Sequence, residues 1–269
     1  MDLKAITAST YGATADHFDD APLSFWERVG SATVERLGLR AGERVLDACC
    51  GTGASALPAA RRVGARGSVL GIDLSEGALA LAREKARRLG LANVEFRAGD
   101  AEATGLPPAS FDAVACVFGI FFLPDMAAGA RELWRLVRPG GRLAITVWGP
   151  GIFEPATSAF WEAVGAERPD LVGGFHPWTR VTTPDALAAL LAEAGIADAQ
   201  VAPEAAEHPL AAVEDWWTIV LGTGYRATVE QLGAEAAERV RAANLAALRE
   251  RDVRAIATDV VYAIAVKPG

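Results

Sequence analysis

Apolar and polar positions along this chain alternate between two periods. From Glu43 the run ERVLDACC is short and rich in β-favouring residues, and it stops at the turn Gly51-Thr-Gly53. ASALPAARRV then shows helical spacing up to Gly64. GSVLGID reads as a second strand, followed by the helix EGALALAREKARRL, with Ser75 at its N-cap and Gly90 past its end. NVEFRAGD, FDAVACVFG and RLAITVW read as the third, fourth and fifth strands, with the helix MAAGARELWRLV before the last of them. Arg138-Pro139-Gly140-Gly141 predicts a turn there, because Pro sets φ at the second position and Gly accepts a positive φ at the third. Strands and helices alternating at this rhythm predict a parallel, doubly wound α/β sheet.

The flanks read differently. Residues 1–40 start polar and become helical, with Ser24 placed to cap a helix through Leu37, Glu27 at N3 of a capping box, and Gly38 at the end. After Trp148 the rhythm breaks. Residues 150–184 mix Gly, Pro and aromatics and read as an insertion; PDALAALLAEAG is a helix and residues 196–201 a strand. Residues 211–250 read as helical with a break at Leu221-Gly222-Thr-Gly224, and TDVVYAIAV is a strong β run at the end. The expected organisation is one domain over 1–269. It has an N-terminal helical lid (1–40), a core (41–150) and two inserted covering segments (151–183 and 211–250).

Composition narrows the partners. With 269 residues and 51% hydrophobic side chains the chain has ample material for a core. Its 26 basic against 34 acidic residues give a net charge of −8, which argues against nucleic acid, whose phosphates are held by Lys and Arg. The longest charge-free apolar run, between Asp112 and Asp125, falls short of the roughly 20 residues of a membrane span. MDLKAITASTYG lacks the pattern of a signal peptide. Cys49, Cys50 and Cys116 show no CxxC spacing, so neither a disulfide framework nor a zinc site is expected. A reduced, cytoplasmic protein without a metal site is the expectation.

The chemistry gathers at strand ends. The loop from Asp47 to Gly53 joins a strand to a helix, where glycines permit close ligand approach and free helix-start amides attract polar groups. Ala56 stands where a dinucleotide fingerprint has its third glycine, a replacement that pattern admits. A Walker loop is excluded, since no Lys-Ser/Thr follows the glycines. Asp47, Asp73 and Asp100 end the first three strands, and open α/β sheets bind ligands at that edge. Singly, each reads as a cap or a turn former. In register with the glycine loop they suit a nucleoside with an ammonium: Asp73 for ribose hydroxyls, Asp100 for an adenine amino group, and Asp47 for the ammonium.

The runs VLDACCGTG, GIDLS, GDAEATGLP, FDAVACVFGIFFLPD and LVRPGGRLAITVW, in this order, strongly resemble the class I S-adenosylmethionine-dependent methyltransferases. The nearest resemblance is to the small-molecule branch that contains the ubiquinone and menaquinone C-methyltransferases. It covers residues 40–148 motif by motif, and more loosely Tyr11 to Trp26 and the terminal strand. It implies a Rossmann-like seven-stranded sheet of order 3-2-1-4-5-7-6 with the last strand antiparallel. TDVVYAIAV fits that strand, which a dinucleotide-binding fold would not predict. By position, the resemblance places Asp47, Ala48, Cys49, Gly51 and Gly53 around the methionine moiety. It places Asp73 at the ribose, Leu74 against adenine, Asp100 and Ala101 at the adenine edge, and Cys116, Val117 and Phe118 after strand four. Two departures stand out: Cys49 replaces the family's usual first glycine, and Phe121-Phe122 stands where many relatives carry a His pair.

The reaction so implied moves a methyl group from S-adenosylmethionine, leaving S-adenosylhomocysteine, to an O, N or C atom of a hydrophobic or aromatic small molecule. No metal is demanded, and the partner is a small-molecule acceptor, with a homodimer left open. Where the acceptor needs a base, His176 in the insertion is the leading expectation, followed by His17 and by Tyr11 in the lid. Phe153, Trp161, Phe175, Trp178, Trp216, Trp217 and Tyr225 are expected either to line the acceptor pocket or to build an ordinary core. Arg180 and Arg226 are surface charges or partners for an acceptor carboxylate. Two other readings share the loop. One is the same fold using the cofactor structurally for a different reaction. The other is an NAD(P)-dependent oxidoreductase, disfavoured because Tyr262 precedes no matching Lys.

Overall fold

The computed structural model describes residue 17, residues 20–174 and residues 176–269, so Tyr11 and Phe175 lie outside the described residues. Helix α1 (Phe25–Leu37) leads into β1 (Arg44–Ala48), α2 (Ala56–Val63), β2 (Ser68–Asp73), α3 (Glu76–Arg88), β3 (Val94–Ala98) and β4 (Phe111–Val117). Then come α4 (Met126–Leu136), β5 (Val137–Trp148), α5 (Ala156–Glu167), α6 (Pro184–Glu193), β6 (Gln200–Glu204) and β7 (Glu207–Pro209). Helices α7 (Asp215–Leu221), α8 (Arg226–Leu232) and α9 (Ala234–Glu250) precede β8 (Ala255–Ala257) and β9 (Val260–Val266).

Seven strands form one sheet in the order β3-β2-β1-β4-β5-β9-β6, and β7 pairs with β8 alone. The first five are mutually parallel; β9 runs antiparallel to both neighbours, with Thr146 opposite Tyr262. With β9 as the sheet's seventh strand in chain order, this is the expected 3-2-1-4-5-7-6 arrangement. Strand β1 sits between β2 and β4, and its residues Val45 to Ala48 are at most 1% exposed, the signature of a parallel strand covered on both faces. One covering layer uses Val34 and Leu37 of α1, Leu57 and Val63 of α2 and Leu79 of α3. The other uses Leu133 and Leu136 of α4 with Leu187 and Leu190 of α6.

Several local expectations hold. Gly38 closes α1 in the left-handed conformation, Ser75 caps α3 by accepting from the Ala78 amide, and Gly140 takes φ +72° in the turn before β5's main run. The capping box at Ser24 does not form. A 3-10 turn over Ala21–Leu23 runs straight into α1, so Ser24 is itself helical (φ −61°, ψ −11°) and lacks the extended backbone that aims a capping hydroxyl. The expected strand at 196–201 forms later, at 200–204. Gly195 turns the chain at φ +77° and Ile196 is buried beneath α6, so pairing begins only beyond them.

Helix α1 lies unusually close to the loop after β1. A Cβ on Gly30 would stand 2.3 Å from the Ala54 carbonyl oxygen. Glycine there is required by close approach, and it fixes the position of Trp26 one turn earlier on the helix. Gly30→Ala is expected to destabilise the fold by about 2–3 kcal/mol through overpacking against backbone. Urea denaturation measures this; an unchanged midpoint would show that α1 rides freely over the loop.

Candidate functional site

A cleft of about 1110 Å³, counting its open mouth, runs along the carboxyl ends of the central strands. At one end it is built from carboxylates and loop amides. Asp73 ends β2, and its Oδ2 accepts the Gly51 N–H at 2.9 Å while Oδ1 accepts the Ser75 N–H at 2.8 Å. Burial raises the Asp73 pKa, and these backbone donors work against that rise by favouring the charged form. Asp100, beyond β3, accepts the Glu102 N–H at 2.9 Å. Gly51 adopts φ +51° and has no atom within 4 Å of the place a Cβ would take, although it lines the cleft. A side chain there would fill the cradle, so the loop is shaped to receive something else.

The loop is held from beneath. Thr52 is buried and accepts a hydrogen bond from the buried Lys85 ammonium at 3.1 Å. Ser55 donates to Asp47 Oδ2 at 2.7 Å, while the buried Oδ1 of Asp47 has no hydrogen-bond partner. Burial pushes the Asp47 carboxyl up to about 7, with the nearby Asp73 charge acting in the same direction and Ser55 opposing it. Cys49 takes φ +58°, the conformation its position favours in glycine, and its side chain packs on Gly119, where a Cβ would meet Cys49 Cβ at 2.4 Å. The Cys49 thiol is held protonated by its hydrogen bond with Cys116 and by burial.

The other end is aromatic. Trp26 from α1, Phe118 after β4 and Trp148 at the end of β5 converge with Phe121, Phe122 and Leu123 of the following 3-10 turn. The insertion reaches this wall from behind. Arg180 Nη1 donates to the carbonyls of Phe121 at 3.0 Å and Leu123 at 2.6 Å, and its Nη2 to that of Pro124 at 3.1 Å.

Of the residues expected at the site, Cys49, Gly51, Asp73, Leu74, Asp100, Ala101, Val117 and Phe118 line the cleft. Asp47, Ala48, Gly53 and Cys116 are buried behind its wall. Asp47 is the informative case: at 1% exposure it braces the loop through Ser55 rather than opening onto the cleft. Gly53 is needed for packing, since a Cβ would meet Leu57 at 3.1 Å.

The histidines are not brought to the cleft. His176 stacks on Trp178 (centroids 5.0 Å, 23°) and leans on Trp161 at 4.8 Å, and burial lowers its pKa. His17 shares a hydrogen bond with Asp20 at 2.9 Å. The described aromatics of the inserted segments, expected either over an acceptor or in an ordinary core, build a core. Tyr225 is ringed by Phe153, Phe160, Trp161, Trp178 and Trp216, and its hydroxyl meets Thr157 at 3.1 Å. Sequence reasoning missed Trp26, Gly119, Phe121, Phe122, Leu123 and Trp148 as lining residues. Trp148 had a usable signal, because it ends the strand next to β4 at the ligand-binding edge.

Strand order, glycine cradle and strand-end carboxylates together define the fold of the class I methyltransferases. Residues 45–141 match the family model described as a methyltransferase domain. Over 143 residues the chain is 35% identical to the aklanonic acid methyltransferase DauC of Streptomyces sp. (strain C5), covering 53% of this chain and 65% of that one. Over 154 residues it is 34% identical to the ubiquinone/menaquinone biosynthesis C-methyltransferase UbiE of Escherichia coli O1:K1, covering 57% and 60%. The chain thus spans less than two thirds of the length of these curated relatives. A crystal structure of a SAM-dependent methyltransferase from Aquifex aeolicus superposes with a TM-score of 0.53 at 25% identity, covering 71% of this chain and 89% of that one.

Two outcomes follow from the loop. Asp47 releases its proton near pH 7 in the folded chain and near 3.8 when unfolded, so between those values the folded state binds more protons. Stability of the ligand-free protein therefore falls as pH rises through this window, by up to about 1.4 kcal/mol per unit, and levels off above it. Asp47→Asn removes the dependence, so relative to the parent it gains stability from pH 4 to 7; parallel parent and variant curves would place the titration elsewhere. Second, Gly119→Ala is expected to cost about 2–3 kcal/mol through its clash with Cys49, and Cys49→Gly to recover more than half of that in the double variant. Additive denaturation midpoints would show that the two positions do not compete for space.

Proposed function

We propose that this chain transfers a methyl group from S-adenosylmethionine to an O, N or C atom of a hydrophobic or aromatic small molecule. The observation that carries this reading is one cleft in which the open Gly51 cradle, Asp73 and Asp100 meet an aromatic wall. When bound, the cofactor supplies a methyl group already activated by its attachment to a sulfonium. Asp73, anchored by Gly51 and Ser75, keeps lone pairs for ribose hydroxyls, and Asp100 is placed for the adenine amino group. Leu74, 42% exposed on the cleft, offers an apolar surface to the base.

The chain's remaining task is to align the acceptor's nucleophilic atom with the methyl group at about 3–3.5 Å and to exclude water. Trp26, Phe118, Phe121, Phe122 and Trp148 furnish an apolar wall for that purpose. Among the described residues lining the cleft, the titratable side chains are Cys49, Cys50, Asp73 and Asp100. His176, held between Trp161 and Trp178, serves the insertion's packing. The names of the two relatives refer to aklanonic acid and to ubiquinone or menaquinone, and a small organic acceptor is the matching reading for this chain. The organisation that goes with it is a core over 41–150 carrying the donor site, with segments 151–183 and 211–250 buttressing the acceptor side.

A methyl-release assay over phenol, amine, carboxylic acid and enolisable-carbon acceptors, following S-adenosylhomocysteine, tests the activity directly. The donor assignment is tested separately. Asp73→Ala is expected to weaken S-adenosylmethionine binding about ten- to hundredfold, the worth of a charge-assisted hydrogen-bond pair. Calorimetry on the folded variant reads it, and an unchanged affinity would remove Asp73 from the ribose.

A further inference from the structure

All three thiols of the chain gather where β1 and β4 end, and methyl transfer as read above uses none of them. Cys49 and Cys50 follow β1, and Cys116 lies in β4. They divide into a pair and a single. The place a Cβ would take on Gly119 is 2.8 Å from the Cys49 sulfur and 2.9 Å from the Cys116 sulfur, so both crowd one point. The two thiols also share a hydrogen bond. Cys50 turns the other way, its sulfur 2.9 Å from the corresponding place on Gly71, beside Phe96. Strand register sets the backbone spacing of the pair, because Ala48 of β1 lies opposite Cys116 in parallel pairing. Neighbouring strands are about 4.8 Å apart, and one residue further along adds about 3.3 Å. The Cα atoms of Cys49 and Cys116 therefore stand roughly 6 Å apart, inside the ~4.4–6.8 Å that a disulfide spans. Access is one-sided: Cys49 is partly exposed and lines the cleft, whereas Cys116 is 0% exposed.

We propose that Cys49 and Cys116 are a redox modification site, at which a small disulfide oxidant entering the cleft closes an internal disulfide and the oxidised chain loses its hold on the donor. Cys49, as its thiolate, attacks one sulfur of the oxidant, forming a mixed disulfide and releasing the first thiol. Cys116 then attacks the Cys49 sulfur, closing the protein disulfide and releasing the second. Two electrons and two protons pass from the pair to the oxidant, which leaves as two thiols. Burial and the shared hydrogen bond keep Cys49 protonated at rest, so this exchange is slow. Cys116 is fixed in the sheet between Ala48 and Ile145, so closure has to draw Cys49 inward. Cys49 holds φ +58° two residues before Gly51, whose amide is tied to Asp73, and its displacement pulls that cradle out of shape. The effect on the donor rests on the reading that the donor occupies the cleft with its ribose at Asp73; the disulfide itself does not. Linkage adds a reciprocal: whatever factor oxidation takes from donor affinity, bound donor returns as resistance to oxidation.

Prolonged incubation of the full chain with oxidised glutathione, followed by alkylation and peptide mapping, tests the site. The expected product has lost two thiols, carries a Cys49–Cys116 cross-linked peptide, alkylates at Cys50 and reverts with dithiothreitol. In Cys116→Ala the second step is missing, so Cys49 stops as its glutathione adduct. A Cys49–Cys50 bridge in either chain, a lasting adduct on the parent, or three thiols still free after oxidation overturns the proposal. Calorimetry on the oxidised parent is expected to show S-adenosylmethionine bound about tenfold more weakly or worse, with affinity restored on reduction. Saturating donor should then raise, by that same factor, the ratio of oxidised glutathione to the square of reduced glutathione at half-oxidation. Equal affinity of the oxidised and reduced chains overturns control of the donor even where the disulfide maps as expected. A reduced parent that binds no S-adenosylmethionine overturns the donor reading, and that control with it.

Discussion

A single carboxylate fixes the distance between two loops. Asp73 accepts one amide from the loop after β1 and one from the loop after β2, so Gly51 and Ser75 are tied to the same side chain. Those amides lie outside the sheet's own pairing, and an unmet donor in a half-buried loop would be costly. The same two bonds counter the desolvation of Asp73 and keep its remaining lone pairs usable. With the loops so held, Gly51 keeps its left-handed backbone and its open cradle. The site thus depends on a carboxylate that braces two loops and also lines the cleft.

The rest of the cleft is positioned by successive contacts from outside the sheet. Gly30 lets α1 settle onto Ala54, which brings Trp26 to the mouth. Arg180 grips three carbonyls between Phe121 and Pro124, so the insertion sets the shape of the aromatic wall without entering it. The insertion is itself rigid for ordinary reasons. Trp216 donates to Asn244 at 2.7 Å, and the Tyr225 phenol is buried deeply enough for its pKa to be pushed up to about 12.

What could be read from sequence follows the range of the interactions. The carboxylate end of the cleft was legible because a glycine turn between a strand and a helix, and an acid at a strand end, are local features with local geometry. Asp73, Gly51 and Asp100 needed only strand boundaries to be placed. The strand order was legible through the terminal β run, whose antiparallel seat between β5 and β6 only one family arrangement requires. The aromatic wall was not legible. Trp26 and Trp148 are 122 positions apart in the chain and meet only because Gly30 admits α1 so closely. His176 looked catalytic because it sits beside Trp178 in an irregular segment, yet that adjacency is why it stacks into the core. Asp47 shows the same limit: its position suited a ligand ammonium, but Ser55, eight residues on, folds back to take its carboxylate.

The placement of backbone strain supports the same division of the cleft. Six described non-glycine residues hold a positive φ, and three of them, Cys49, Phe118 and Phe153, surround the aromatic end. Left-handed backbone costs a side-chain-bearing residue about 1–2 kcal/mol, so each persists only where its neighbours over-determine it. Phe118 is fixed by its amide, which donates to the Thr146 carbonyl at 2.8 Å, and Phe153 by its amide on Ala257 at 2.8 Å. Cys49 is fixed by contact, because its side chain fills the space that Gly119 leaves empty. Relieving any one of them would turn a ring or a thiol away from its present neighbours. Strain concentrated beside β4 and β5 is therefore the cost of holding Phe118 and Trp148 face to face at the strand ends.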